Sequence, residues 1–415
     1  MQHPGLDLED ERPPRFTRNA DDPAKLWLWA AAVIALAAAA FAGMSTADFI
    51  EHLDRQVHSI HCSLVPGASQ QIGESGCRTV MMSPYSSLFR TSLWGGLPIS
   101  LLAMAVFSYL VYRAVDFAMN TDRTRRETGF LIAAWLLPVL MSVIYGMIAA
   151  TKIGATCKLC VGVYVTSALG FLCALIAHAK QEADLGGGSS ASDYIRWFGE
   201  GTLFVAVLGA LYLFGAPQTA KATEGCGHLV KKDDPSGVMV SLGGRGAKSI
   251  ALLDPLCPAC RGFDQRLEAS GLRQQLDLTA VLFPLDQTCN WMVKTSLHPG
   301  ACAVSEAILC SPERARQILD WAFAEQESLV AEAKADERKL RDRIGQRFPD
   351  VKGCLGSPKV KNKLNKSLRW AVANALPVLT PQLFIGERRV CDEDTDLGLE
   401  YTIASMLQQG AGGAK

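Results

Sequence analysis

Five long runs without a charged residue, Leu26 to Met44, Trp94 to Tyr112, Phe130 to Thr151, Cys160 to Ala177 and Gly201 to Ala220, constrain this chain more than any other feature. A hydrocarbon core of roughly 30 Å takes about 20 residues of helix at about 1.5 Å each, and every run is close to that length. The chain therefore reads as crossing a lipid bilayer five times. The first run, with its Ala-rich end, also resembles a cleavable signal peptide. It is long for such a segment and follows 25 mostly polar residues, so it is expected to be retained as a span.

Lys and Arg near the span ends orient the chain. The loop between spans two and three carries Arg113, Arg123, Arg125 and Arg126, and the N-terminal tail carries Arg12, Arg15, Arg18 and Lys25. Both are expected on the cytosolic side. Ser45 to Leu93 holds only Arg55, Arg78 and Arg90 and is expected outside. Spans four and five are joined through Gly186-Gly187-Gly188-Ser189-Ser190, the composition of a flexible cytosolic tether. Counting spans then puts everything after Ala220 outside, facing the same compartment as Cys62, Cys77, Cys157 and Cys160.

The 415 residues suffice for two or more domains with real cores. Lys plus Arg and Asp plus Glu both total 41, so the neutral chain has no electrostatic appetite for nucleic acid or any other polyanion. Hydrophobic residues make up 49% and are concentrated in the first half, as expected for a membrane half followed by a soluble one. Thirteen cysteines point to an oxidising compartment.

Beyond Ala220 the pattern is mixed α and β. Strand-like runs at Val238 to Leu242 and Ser249 to Leu253 precede a turn and a helical stretch to Ser270. A strand from Leu276 to Phe283, a long helical insert to about Ala375, a hairpin from Pro381 to Val390 and a closing helix near Leu397 to Leu407 follow. The turn carries the chemistry. Leu253-Asp254-Pro255-Leu256-Cys257-Pro258-Ala259-Cys260 sets a CxxC after a buried strand and at a helix start. There a thiolate meets free amides and the positive end of the helix dipole, which lowers its pKa. Cys257 is the expected nucleophile and Cys260 the resolving thiol. A zinc site shared with Cys157 and Cys160 is the competing reading, disfavoured by their distance in sequence, so no metal is expected. Haem attachment is excluded because neither CxxC is followed by His.

Cys157-Lys158-Leu159-Cys160 lies at the outer mouth of span four, where two thiols one turn apart can close or open a disulfide beside the bilayer. Lys152 and Lys158 either favour a thiolate or serve as interfacial cations. Tyr164 follows Cys160 by one helical turn, as a donor to a quinone carbonyl or as an interface-belt aromatic. A third pair, Cys62 and Cys77, sits in the outer loop, with Ser83 six residues after Cys77. His61 is either a proton carrier or a loop residue without a role. Thiol exchange needs direct sulfur contact, so three pairs on one side of the membrane can work in series.

Two resemblances follow. Val238 to Leu407 resembles the thioredoxin superfamily, especially disulfide-forming oxidases with a helical insert; Thr380-Pro381 falls where that superfamily has a cis-proline whose neighbouring backbone docks the substrate chain. Residues 26 to 180 resemble the vitamin K epoxide reductase family, on the loop cysteine with Ser83 beyond it, the Gly96-Leu97-Pro98 lead-in to the next span, and the CxxC of span four with Tyr164. Fourteen residues separate Cys62 from Cys77, wider than is usual in that family. The combined resemblance implies a multi-domain fold: an all-α four-helix membrane bundle, one linking transmembrane helix, and an α/β thioredoxin-like domain with a helical insertion. The expected domains are a cytosolic tail over 1–25, the membrane domain over 26–180, linker and fifth helix over 181–220, and the extracytoplasmic domain over 221–415.

The implied function is a quinone-dependent thiol:disulfide oxidoreductase of the inner (plasma) membrane. Cys257 and Cys260 oxidise exported proteins that bear reduced cysteines and pass electrons to Cys77 and Cys62. Cys62 exchanges with Cys157, and Cys160 faces a quinone of ubiquinone or menaquinone type, with Ser83 and Tyr164 at that pocket. The alternatives are a quinone or quinone-epoxide reductase driven by protein dithiols, and a membrane-tethered binding or chaperone module with structural cysteines only. Cys173 lies inside span four. Cys226, Cys289, Cys302, Cys310, Cys354 and Cys391 are expected to form structural bridges, Cys289 with Cys302 and Cys310 with Cys354 among them.

Overall fold

The computed structural model describes residues 22–53, 76–120, 123–181, 191–215, 225–391 and 397–412. Cys62 with His61, the tail to residue 21 and the Gly186–Ser190 tether lie outside them. Among the described residues, five helices are long and apolar enough to cross a membrane. They are α1 (Pro23–Leu53), α3 (Ile99–Met119), α4 (Arg125–Ile148), α5 (Lys158–Lys180) and α6 (Ala191–Gly215). The second span starts later than its hydropathy suggests. The short α2 (Gly76–Met82) and a hairpin of β1 (Ser87–Leu88) with β2 (Leu97–Pro98) come first, and Pro98 immediately precedes the helix. The fifth starts earlier, because Asp193, Arg196 and Glu200 are carried on its first turns.

The chain separates into two compact units. The first comprises 1–43, 103–148 and 160–208 and is wholly helical where described. Ala31, Ala35, Ala38 and Ala42 line one buried face of α1, and their small side chains let neighbouring helices approach closely. Phe117 packs edge to face on Phe130 and Trp197, which tilt against each other, with ring centroids 5.1 to 6.3 Å apart. Arg123, counted above as a topological signal, is buried and bonded to Gln181 Oε1 at 2.8 Å and to Asp22.

The second unit comprises 44–102, 149–159 and 209–415. Its sheet runs in the order β3 (Val240–Gly243), β5 (Leu276–Leu282), β4 (Ala247–Leu253), β6 (Gln382–Ile385), β7 (Arg388–Arg389). β4 and β5 are parallel and the other neighbours antiparallel. Alternation along each strand feeds two cores. Ala251, Leu253, Leu282 and Leu383 join one with α7 (Pro258–Ala269), α8 (Ala301–Cys310) and α9 (Ala315–Ala324). Leu252, Val281, Phe283 and Phe384 join the other with α12 (Pro358–Ala373). α10 (Gln326–Ala335) and α11 (Glu337–Arg347) complete the insert, and α13 (Leu399–Gly412) closes the fold. This is the thioredoxin-like arrangement with a helical insertion that the sequence led us to expect. Disulfides join Cys289 to Cys302 and Cys310 to Cys354, as expected, and Cys226 to Cys391.

Candidate functional site

β4 ends at Leu253, the fully buried Asp254 follows, and the chain turns into α7. Cys257 is the N-cap of that helix and Pro258 opens it, where a missing N–H breaks no helical bond. Cys257 thus sits at the positive end of the helix, with Cys260 completely buried behind it. The Cys260 thiol hydrogen-bonds to the Cys257 sulfur and brings the Cys257 pKa down to about 6; Thr380 adds to this, while burial and the charge of Asp254 oppose it. Burial pushes the Cys260 thiol well up, and the negative Cys257 sulfur adds to the effect. One sulfur is therefore an ionised nucleophile at neutral pH while its partner keeps its proton.

The Thr380–Pro381 peptide is cis and faces this centre. The Thr380 carbonyl oxygen is 3.7 Å from Cys257 Sγ. Its hydroxyl, buried and without another hydrogen-bond partner, is a donor for that sulfur when ionised.

A second sulfur centre lies in the same unit. α4 ends in a wide π turn (Ala149–Ile153), Gly154 reverses the chain at φ 69°, and Cys157 immediately precedes α5. Against this turn lies α2, which carries Cys77. The Cys77 and Cys157 sulfurs are 3.1 Å apart, both buried. Cys77 is disulfide-bonded. Thiol–disulfide exchange requires a disulfide sulfur and a cysteine sulfur in direct contact, and this pair meets that geometric requirement. Gly76 makes the approach possible: a Cβ there would overlap the Thr156 carbonyl oxygen, which is backbone and has nowhere to go.

The remaining expected residues fall as follows. Cys160 is half-buried in the first turn of α5, and Tyr164, one turn on, is half-buried with its ring 3.9 Å from where a Cβ on Gly146 would stand. Ser83 ends α2 and donates its hydroxyl to the Val80 carbonyl oxygen at 2.6 Å. Lys152 and Lys158 are exposed. Cys62, the expected exchange partner of Cys157, lies outside the described residues, and the described neighbour of Cys157 is Cys77. Among the described residues, no group of three or more His, Cys, Asp or Glu is arranged to hold a metal.

Two polar constellations were not legible beforehand. His298 Nδ1 lies 2.7 Å from Asp254 Oδ2, and Glu400 takes bonds from both Arg90 and Arg266. Asp254 was in plain view three residues before Cys257. His298 and Glu400 carry no local signal, since each matters only through a residue far away in sequence.

Residues 29–175 match the Vitamin K epoxide reductase family. The resemblance read from the sequence therefore holds over that segment. Among solved structures, the crystal structure of the oxidoreductase DsbA from Xylella fastidiosa is similar to this chain at 21% identity; the similarity covers 44% of this chain and 100% of that one, with a TM-score of 0.26. No curated protein matches the chain. The family match and the helix-start CxxC in a thioredoxin-like sheet support thiol–disulfide oxidoreductase chemistry in a multi-pass membrane protein.

Proposed function

We propose that this protein oxidises the dithiols of exported proteins and delivers the electrons to a membrane quinone. The observation that carries the reading is the 3.1 Å contact between Cys77, which is disulfide-bonded, and the Cys157 sulfur. In the first step a client thiolate attacks the Cys257–Cys260 disulfide at Cys257, Cys260 leaves and takes a proton, and the second client thiol closes the client disulfide, releasing Cys257. The backbone around Thr380 and Pro381 docks the client's extended chain beside Cys257.

The reduced pair is then reoxidised by the loop disulfide of Cys62 and Cys77. The contact supports giving the exchange with Cys157 to Cys77 rather than to Cys62, with Cys62 then meeting Cys257. Each transfer makes one disulfide and breaks another, so the two electrons move without a free radical. From Cys157 and Cys160 they pass to a quinone of ubiquinone or menaquinone type in the bilayer. Half-buried Cys160 and Tyr164 one turn along α5 suit that role, Tyr164 as a hydrogen-bond donor to a carbonyl oxygen. Ser83 braces the end of α2 through its bond to Val80.

The N-terminus is assigned to the cytosol and the thioredoxin-like domain to the outer face of the inner membrane, the periplasm in a Gram-negative cell. Replacing Cys160 with Ser in the purified chain removes the thiol that resolves the Cys77–Cys157 link, so that mixed disulfide is expected to accumulate. A native chain that leaves a reduced client's thiols free in the presence of quinone would refute the assignment.

A further inference from the structure

Asp254 is the one carboxylate at the root of the CxxC turn, with no solvent exposure. Its oxygens accept three bonds: Oδ1 from the Leu256 N–H at 2.8 Å, Oδ2 from the Leu285 N–H at 2.7 Å and from His298 Nδ1 at 2.7 Å. The Asp254 carbonyl oxygen also accepts the Cys257 N–H at 3.2 Å. A buried negative charge so close to the reactive sulfur works against a thiolate. Among the donors on Asp254, only the imidazole brings a countercharge.

Backbone hydrogen bonds hold His298 on both sides. Its N–H donates to the Leu285 carbonyl oxygen at 3.2 Å, and its own carbonyl oxygen accepts the Ala301 N–H at 3.1 Å, where α8 begins. Asp286 Oδ2 fixes the same turn through the Gly300 N–H at 2.9 Å, and the Cys289–Cys302 disulfide closes it. With 16% of its side chain exposed, the ring reaches water from a site next to a carboxylate that does not.

We propose that His298 is a positioning residue of the CxxC centre: as an imidazolium bonded to Asp254, it cancels the buried carboxylate's charge and so keeps Cys257 an ionised nucleophile in mildly acidic surroundings. The charged groups that face it are Asp254, Asp286 and the Cys257 sulfur, all negative, and each favours its protonated form. Burial pulls the His298 pKa down, but the hydrogen bond and charge of Asp254 outweigh it and the net shift is upward. The inference rests on Cys257 being the exchange-active sulfur of the CxxC, and on no step that carries electrons beyond that pair.

The test follows Cys257 alkylation in the full, reduced chain in detergent, read by mass on the peptide that holds Cys257, from about pH 5 to 9. For His298→Gln the rate near pH 6 is expected to fall about fivefold, converging with the native rate above roughly pH 8.5, where Cys257 is ionised in both chains. For Asp254→Asn the profile moves the opposite way, toward lower pH, and the double variant regains the native rate near pH 6. If His298→Gln does not fold, the Asp254→Asn profile decides by itself. A profile that stays in place, or moves to the same side in both variants, overturns the proposal. Alkylation needs neither client nor quinone, so a failed client-oxidation assay would remove the relay reading and leave this one standing.

Discussion

Arg90 and Glu400, 310 residues apart, share a buried ion pair, with Arg90 Nη1 3.2 Å from Glu400 Oε1. The same carboxylate binds Arg266 of α7 at 2.8 and 2.6 Å. Arg90 also donates to Ser87 Oγ at 2.7 Å, to Ser86 Oγ at 2.6 Å and to the Met81 carbonyl oxygen at 3.4 Å, where α2 ends. A continuous set of hydrogen bonds thus runs from the helix that carries Cys77 to the helix capped by Cys257. Trp94 adds an edge-to-face contact with Tyr401 at 6.0 Å and a bond to the Leu53 carbonyl oxygen at 3.2 Å.

Removing the carboxylate would leave two guanidinium groups buried without a countercharge. Glu400→Gln is therefore expected to destabilise the second unit by about 3 kcal/mol or more, measured by denaturant unfolding of the chain in detergent. Burial pushes the Glu400 carboxyl up, but the charges of Arg266 and Arg90 outweigh it and hold it below its ordinary range. Its contribution is full at neutral pH and lost as pH falls from the unfolded carboxyl value of about 4.3 through the lower folded one. The native chain should lose stability across that window more steeply than Glu400→Gln.

Gly76→Ala places a methyl group against the Thr156 carbonyl oxygen and moves α2 off the turn. A displacement on the order of 1 Å ends sulfur contact, so formation of the Cys77–Cys157 link in the Cys160→Ser background should slow tenfold or more. Alkylation of Cys257 should be unchanged. An equal rate of link formation in both chains would count against the contact as the exchange geometry.

Alkylation of Cys257 should rise with pH about a midpoint near 6, far below the roughly 8.5 of an ordinary thiol. The ionised sulfur is the reactive form, so the rate is lost as pH falls through that value. Thr380→Val removes the hydroxyl donor and should move the midpoint upward, with a roughly threefold slower reaction near pH 6.

The Cys226–Cys391 bridge joins positions 165 residues apart, a long loop to constrain in the unfolded chain. Replacing both cysteines with Ala should cost about 2 to 5 kcal/mol of stability, measured by denaturant unfolding. The Cys257 alkylation profile is expected to stay where it is.

Much of this architecture was legible in local patterns. Uncharged runs such as Phe130 to Thr151 announce a membrane helix by length alone, and Cys257-Pro258-Ala259-Cys260 between an apolar strand and a helix announces a redox turn by its position. Span ends were less legible. Hydropathy reads Trp94 to Pro98 as membrane, whereas a short hairpin and Pro98 hold it outside the helix; Ala191 to Glu200 reads as linker because its helical turns carry charge. Arg90 shows the limit of counting charges: tallied as a loop cation, it is a buried partner of Glu400.

The amino-acid order by itself determined what each segment prefers: which runs enter lipid, which strand residues alternate between two cores, and which cysteine opens a helix. Those preferences come from neighbours within a few residues, whose spacing follows helix and strand geometry. Only the tertiary structure decided which distant groups meet, Cys77 with Cys157, Asp254 with His298, Arg90 with Glu400. Contacts of that kind depend on a few ångströms of backbone approach, set by close packing at positions such as Gly76.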